Sequence, residues 1–437
     1  MRWSLAIAIA LCGCGESALQ ATKSEGVPAE AAPVESSPTV AVASAGEWRK
    51  IRPDAPVVGD AGRDADGAST GFRSVTVHDS ARAFQGYNLY NSGHAAAAYL
   101  VDMDGRVLHT WRARADDVLG AAGQGDRPWR RVRLGADGAL YAVWDGLGVV
   151  KLDKDSHVLW AKACEAHDDL QILDRNRLIV LARDHRIDAR YSRSKPIVED
   201  IVEVRDGATG ELKQRHSVLD AFAASADPGL AAARRGASED ILHTNAVEIL
   251  GADGVLGPPT FRPGMALVSL QHASALALLD LTTDRFTWSY VGGFRSQGGA
   301  SVGASGELAV FDGSGGDART SRVVILDPST GQPTWTWEGT RKQPLRSEDY
   351  GDVQLLPNGD VLVTESEAGR AFEVTRDTRE TVWEFYNPHR GGDQGDRIAV
   401  LFEVQRLPAS LDLDWARADA SPVGAGPVES TPAGASP

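Results

Sequence analysis

LVDMDGRVLHTW, residues 100–111, reads as a short apolar strand, an Asp-rich turn and a second strand ending on tryptophan. The same sentence returns as KLDKDSHVLW at 151–160, EVRDGATGELK at 203–213, LLDLTTDRFTW at 278–288, ILDPSTGQPTW at 325–335 and EVTRDTRETVW at 373–383. Aligned at Val101, Leu152, Val204, Leu279, Leu326 and Val374, the copies stand 51, 52, 75, 47 and 48 residues apart. Such a period, with turn signals between alternating strands, predicts a repeat of small sheets.

Upstream of several copies lies another hairpin. RLGADGALYAV (133–143), QILDRNRLIVLA (171–182), ASVGASGELAVF (300–311) and VQLLPNGDVLVTE (353–365) turn on Asp-Gly, Arg-Asn, Ser-Gly and Asn-Gly, most of which reach positive φ at little cost. Two hairpins make a four-stranded blade, and six units make an all-β, six-bladed β-propeller, expected over 83–408. The interval of 75 places an insertion at 219–238, whose Ala- and Arg-rich stretch suggests a short helix or a loop over one face. LFEVQRL, 401–407, lies beyond the sixth unit. It is expected to pair with GYNLYNSG at 86–93 and close the ring, because an open ring leaves two bare sheet edges.

The ends have a different composition. MRWSLAIAIALCGC carries one Arg, an apolar run from Leu5 to Leu11, and then Leu-Cys-Gly-Cys. The run is shorter than the roughly 20 residues of a permanent span. The cysteine context is similar to a bacterial lipobox, so residues 1–13 are expected to be a lipoprotein-type signal peptide and Cys14 the lipidated residue. The protein is then exported and held by its lipid at a membrane, on the periplasmic or cell-surface side; an ordinary cleaved signal or a short hydrophobic N-terminus is the alternative. Residues 14–82, rich in Ala, Pro, Ser and Val, are expected to be a flexible tether, and 409–437 a disordered tail. With Cys14 lipidated and Cys12 removed, Cys164 is the remaining thiol, which leaves no disulfide framework. The net charge of −15 argues against nucleic acid and anionic lipid as surface partners. Small anionic substrates stay open, since exposed charges are screened beyond about 10 Å.

Trp111, Trp160, Trp288, Trp335 and Trp383 recur at one repeat position and are read as packing between blades. The Asp-rich turns are explained by turn and cap chemistry without metal. No cofactor is expected.

In a propeller the innermost strands begin round one end of a central channel, so residues at strand starts converge. His167 in AHDDLQIL, His243 and Asn245 in LHTNAVEIL, and His272 just after MALVSLQ all lie at such positions, three of ten histidines. Any one of them alone is an ordinary structural histidine. A metal set of His167, Asp169, His243 and His272 lacks tight ligand spacing.

GYNLYNSG with AYLVDMDGRVLHTW, HDDLQIL, ILHTNAVEIL, VSLQHASALALLD and VQLLPNGDVLVTESEAGRAFEVTRDTRETVWEFYNP, taken in order over 84–407, resemble the bacterial arylsulfotransferase family. The resemblance implies an exported six-bladed propeller that moves a sulfuryl group from a phenolic sulfate to a phenol without a nucleotide donor, through a sulfohistidine. By position, His243 and His272 are expected to carry the donor and acid–base roles, with Asn245 orienting His243. His167 is expected at the binding site and Arg295 as an oxyanion clamp. Such chemistry is intelligible: an imidazole nucleophile splits one hard transfer into two, a second imidazole protonates the leaving phenolate, and donors steady the charged oxygens.

One position departs from the family. Where its members carry Gln-His at the start of a blade, this chain has Gln297-Gly298. Between His272 and His389 there is no other imidazole. Three readings follow: a propeller without the sulfohistidine that binds a ligand or partner, a sulfotransferase in which His272 or His243 has taken over or transfer is direct, and a structural scaffold.

Overall fold

The computed structural model describes residues 47–52, 62–63, 69–70, 74–120, 127–135, 137–174, 176–233, 239–251, 258, 261–317, 320–392 and 395–417. Six antiparallel sheets follow one another, named here from the innermost strand outward. Blade 1 is Leu401–Pro408, Gly86–Ser92, Ala97–Val101 and Val107–Arg112. Blade 2 is Arg131–Leu134, Leu140–Trp144, Gly148–Leu152 and Val158–Ala163, and blade 3 is Ala166–Asp174, Arg177–Arg186, Ile197–Asp206 and Leu212–Ser217. Blade 4 is Thr244–Ile249, Ala266–Leu270, Ala275–Asp280 and Arg285–Val291, and blade 5 is Gln297–Val302, Leu308–Asp312, Arg322–Asp327 and Gln332–Trp337. Blade 6 is Asp352–Leu355, Val361–Glu365, Arg370–Val374 and Thr381–Tyr386, with Val75–His78 as a fifth, outer strand.

The ring closes as expected: Leu401–Pro408 pairs with Gly86–Ser92, Val404 opposite Tyr90 and Leu407 opposite Tyr87. C-terminal chain thus supplies the innermost strand of the N-terminal blade. Apolar residues lie on both faces of each blade, so every seam buries its own core. Leu89, Trp111 and Leu140 join blades 1 and 2, and Phe311, Val353 and Phe372 join blades 5 and 6.

The turns explain the Asp-rich repeat. Asp102 Oδ1 accepts the N–H groups of Asp104 and Arg106 at 3.0 and 2.9 Å. Asp153 Oδ1 accepts those of Asp155 and His157, both at 2.8 Å. Rigid turns of this kind present their carbonyls to the neighbouring blade. Trp160, Trp288, Trp335 and Trp383 each donate the indole N–H to a turn of the next blade: to Gly207 O at 3.2 Å, Pro328 O at 3.0 Å, Arg376 O at 3.1 Å and Met103 O at 2.9 Å. In blade 1 His109 donates to Lys154 O at 2.6 Å in place of the indole, and in blade 3 His216 Nδ1 meets Asp284 Oδ1 at 2.5 Å.

The ordered part reaches beyond 83–408 at both ends. Within the span expected to be tether, Trp48–Lys50 pairs with Arg397–Ala399, and Val75–His78 pairs with Thr381–Tyr386. Within the expected tail, Asp414–Arg417 forms a helical turn that buries Leu413 and Ala416. Short apolar or β-branched residues in polar surroundings carried too weak a signal to mark these segments. The insertion folds as two short helices, Val218–Ala223 and Pro228–Ala232, capped by Ser217 and Asp227. Val218, Leu219, Phe222 and Leu230 are buried against blades 3 and 4. Residues 1–46, with Cys14, lie outside the described residues, as do 418–437.

Deleting residues 401–408 removes a whole innermost strand, whereas deleting 418–437 removes none of the described core. Thermal melting is expected to show loss of cooperative unfolding for the first deletion and a midpoint within about 2 °C of the parent for the second.

Candidate active site at the channel mouth

Innermost strands break register close to where they begin. The irregularity falls between Ala166 and Leu170, Thr244 and Ala246, Gln297 and Ala300, and Leu401 and Glu403. A bulge there bends the strand and re-aims its side chains. Asp168, His243 and Ser296 hold φ values of 48°, 50° and 57°, strained for residues with a side chain and kept by the contacts around them.

His243 and His272 come together. His272 sits on the turn Gln271–Ala273 between the second and third strands of blade 4. The rings lie 5.0 Å apart, inclined by 30°, and each side chain is 32% exposed. His243 Nδ1 is 2.5 Å from Asp240 Oδ2, and His272 Nδ1 donates to the Asp240 carbonyl at 3.0 Å. Backbone bonds zip the two loops: His272 N to Leu242 O at 2.9 Å and Gln271 N to His243 O at 3.1 Å. Burial disfavours a charged His243, but the hydrogen bond and charge of Asp240, with Asp168 and Asp200 behind, outweigh it and hold the ring above its ordinary pKa.

His167 is placed differently. It is buried, with Nδ1 3.0 Å from Asp168 Oδ2 and Nε2 3.6 Å from Asp200 Oδ1. Asp168 also takes Arg130 at 3.0 Å and Arg183 at 3.6 Å. Burial is overridden there by the Arg130, His167 and Arg183 charges, which hold that carboxyl far below the usual range. Asp200 accepts Thr244 N–H at 2.7 Å, and burial pushes its pKa up. His167 is therefore a strut of blade 3 that reaches the pair through Asp200.

Asn245 does not orient His243. Its amide donates to Gln297 O at 2.7 Å, tying blade 4 to blade 5. Asp240, three residues before His243 in EDILHTN, is the orienting group; the short spacing was its signal. Arg295 is not brought to the pair: its side chain is exposed, and its backbone N–H is held by Asp312 at 2.6 Å. Arg183, on the second strand of blade 3, is the guanidinium whose charge acts on Asp240. Nothing in its sequence neighbourhood marks it. Cys164 is half-buried, and burial pushes its thiol up, against a nucleophilic role.

Gly298 has a physical explanation. A Cβ there would meet the Gly351 carbonyl oxygen at 2.6 Å, and Gly299 N donates to the same oxygen at 3.1 Å. A Cβ on Gly351 would in turn lie 2.1 Å from the Phe311 ring. Gly298 is not at positive φ; close backbone approach between blades 5 and 6 is what demands glycine. Gln297 is fully buried and donates to Leu270 O and Ala275 O at 2.9 and 3.3 Å, so it braces the His272 turn.

Just before the innermost strand of blade 2, Arg130 lies over the Tyr350 and Phe402 rings at 4.5 and 5.1 Å. Beneath it Arg131 pairs with Asp352, with Glu403 at 3.0 Å and with Asp169 at 3.2 Å, and Arg133 pairs with Glu403 at 2.5 Å and Asp169 at 3.3 Å. Arg133, Asp169, Asp352 and Glu403 line a cavity of about 90 Å³ together with Glu248 and Ser301. Burial pushes Glu248 to about 8 and Asp169 to about 6. Carboxylates outnumber guanidiniums, so the channel is no reservoir for anions. Among the described residues, His, Asp and Glu at ligand spacing occur as Asp153, Asp155 and His157 on an exposed turn, away from the mouth.

Fold and mouth together define a six-bladed propeller with a histidine pair held by Asp240 at the end of its channel. The arylsulfotransferase (ASST) family matches residues 135–387, more than half of the chain, which belongs to that family. No curated protein matches the chain. Solved structures similar to it include a protein of unknown function from Bacteroides caccae, 11% identical with a TM-score of 0.44, covering 73% of this chain and 98% of that one. The Cps50 (Swd1) β-propeller domain of Myceliophteria thermophila is 13% identical with a TM-score of 0.44, covering 75% and 99%.

Gly298→His forces a side chain into the seam between blades 5 and 6. Melting should place it about 1–3 kcal/mol below the parent, with no gain of aryl-sulfate turnover. A variant as stable as the parent would contradict the seam.

Proposed function

We propose that this protein transfers a sulfuryl group from a phenolic sulfate to a phenol, and that the chemistry is carried by His243 and His272 rather than by residue 298. The observation that carries this reading is the pair itself. Both Nδ1 atoms are anchored on Asp240, both rings are part exposed, and they lie 5.0 Å apart. Two imidazoles so placed can supply a nucleophile and a proton donor to one substrate. Membership of the arylsulfotransferase family supports the reaction class. Arg183, 25% exposed beside the pair, is suited to hold sulfuryl oxygens.

A second reading is favoured by position 298 and by the surplus of carboxylates: a propeller that binds a ligand or partner without chemistry. The deciding experiment incubates the purified protein with an aryl sulfate and a phenol acceptor and weighs the intact chain. Transfer predicts a gain of one SO3 in the parent and loss of turnover by at least about a hundredfold in His272→Ala. A parent that stays folded, gains no mass and makes no product belongs to the binding reading.

Export and lipidation of Cys14 are proposed on the sequence of residues 1–14. Cys14→Ala should move the protein from the membrane fraction to the soluble fraction; an unchanged distribution refutes the lipid anchor.

A further inference from the structure

Asp240 touches both imidazoles, and it does so with different atoms. Its carboxylate Oδ2 faces His243 Nδ1 at 2.5 Å, its Oδ1 accepts the His243 backbone N–H at 3.0 Å, and its carbonyl oxygen receives His272 Nδ1 at 3.0 Å. A carbonyl oxygen only accepts, so His272 keeps its proton on Nδ1 and, when neutral, a lone pair on Nε2. His243 meets the negative charge directly, whereas the same carboxylate stands 4.0 Å from His272 Nδ1. The Asp240 contact also holds the His243 backbone at φ 50°, a conformation that a residue with a side chain keeps only with support.

The surroundings favour the same asymmetry. Around His243 stand Asp240 from the loop before its strand, Asp168 and Asp200 from blade 3, Arg183 from the second strand of blade 3, and His272 from the turn of its own blade. Three carboxylates against one guanidinium stabilise a charged imidazole. The partner responds in kind: burial would raise Asp240, but the His243 hydrogen bond and the charges of His243, His272 and Arg183 bring it below the usual carboxylate value.

We infer that Asp240 is a positioning residue that divides the labour of the pair, holding His272 by Nδ1 so that its Nε2 serves as the nucleophile toward sulfur, and His243 as the proton donor to the departing phenolate. The chemical half of this rests on the sulfuryl-transfer reading; the hold on the two rings does not. In the first half-reaction the Nε2 lone pair of His272 bonds to sulfur while the bond from sulfur to the phenolic oxygen breaks. Its electron pair leaves on that oxygen, which takes the proton from His243 Nε2. His243 is then neutral. In the second half its Nε2 accepts the proton of the incoming phenol, whose oxygen bonds to sulfur as the N–S pair returns to His272. Protons and charge balance over the cycle, and no oxidant or reductant enters.

The test compares the parent with Asp240→Asn and Asp240→Glu. Asparagine keeps an acceptor oxygen but removes the charge, and melting checks that each variant is folded. Imidazole titration by NMR is expected to place His243 above the free-histidine value in the parent and lower by about one unit or more in Asp240→Asn. Turnover of an aryl sulfate should fall at least about tenfold in kcat with little change in KM. The limb on which the rate declines as pH rises should move to lower pH, because the acid loses its proton earlier; Asp240→Glu should restore much of both. The sulfuryl group should be recovered on the peptide that carries His272. Recovery on the His243 peptide, or an unchanged His243 titration in Asp240→Asn, overturns the division of labour. A shifted titration without turnover in any form upholds the hold of Asp240 and overturns sulfuryl transfer. Turnover without a titration shift does the reverse.

Discussion

At each seam of this ring, one ring N–H on the outer strand of a blade meets an oxygen in the Asp turn of the next. Indoles do this at four seams and imidazoles at the other two, including Trp383 to Met103 O across the closure. Each bond contributes only about 0.5–1.5 kcal/mol. Its value is positional, since the large ring that donates it also fills the apolar seam and sets how far one blade turns against the next. The turns can serve as acceptors because their own aspartates already satisfy their N–H groups, as at Asp102 and Asp153. Repetition of one contact around the ring therefore fixes where the innermost strands begin.

The mouth inherits that geometry. Asp200 of blade 3 bonds Thr244 of blade 4, Asn245 bonds Gln297 of blade 5, and Gly299 bonds Gly351 of blade 6. A chain of inter-blade contacts thus runs from the buried His167 past the part-exposed histidine pair to the glycine seam. Room for side chains is unequal along it. On blade 4 the pair stays part open, each side chain 32% exposed, while between blades 5 and 6 the backbones approach so closely that position 298 carries no side chain. An imidazole at that point and the present seam exclude one another.

Charge makes the same division. The channel interior holds Arg131 and Arg133 against Asp169, Asp352 and Glu403, with Glu248 driven toward its neutral form by burial. Removing one member of such a network leaves the others buried and uncompensated, which typically costs about 3–5 kcal/mol. These groups hold the axis together. The chemistry proposed for this chain lies above them, at the part-exposed imidazoles.

Much of this was legible in the residues alone. The recurring Asp turn and Trp gave six blades, LFEVQRL its place as the closing strand, and strand ends brought out His243, before an innermost strand, and His272, on the turn after a second strand, because local turn chemistry and period-two strands leave direct marks on a sequence. Segments 47–52, 75–78 and 414–417 were not legible, being too short to show a period. Nor were the partners at the mouth: Asn245 looked like the orienting group and Arg295 like the clamp, whereas Asp240 and Arg183 stand beside the pair. Those assignments depend on which loops abut after the ring has closed, a matter of blade rotation and bulge geometry that residues far apart in the chain settle together. The sequence by itself determined that residue 298 has no imidazole; only the tertiary structure, through the Gly351 carbonyl 2.6 Å from where a Cβ would stand, decided that none can fit.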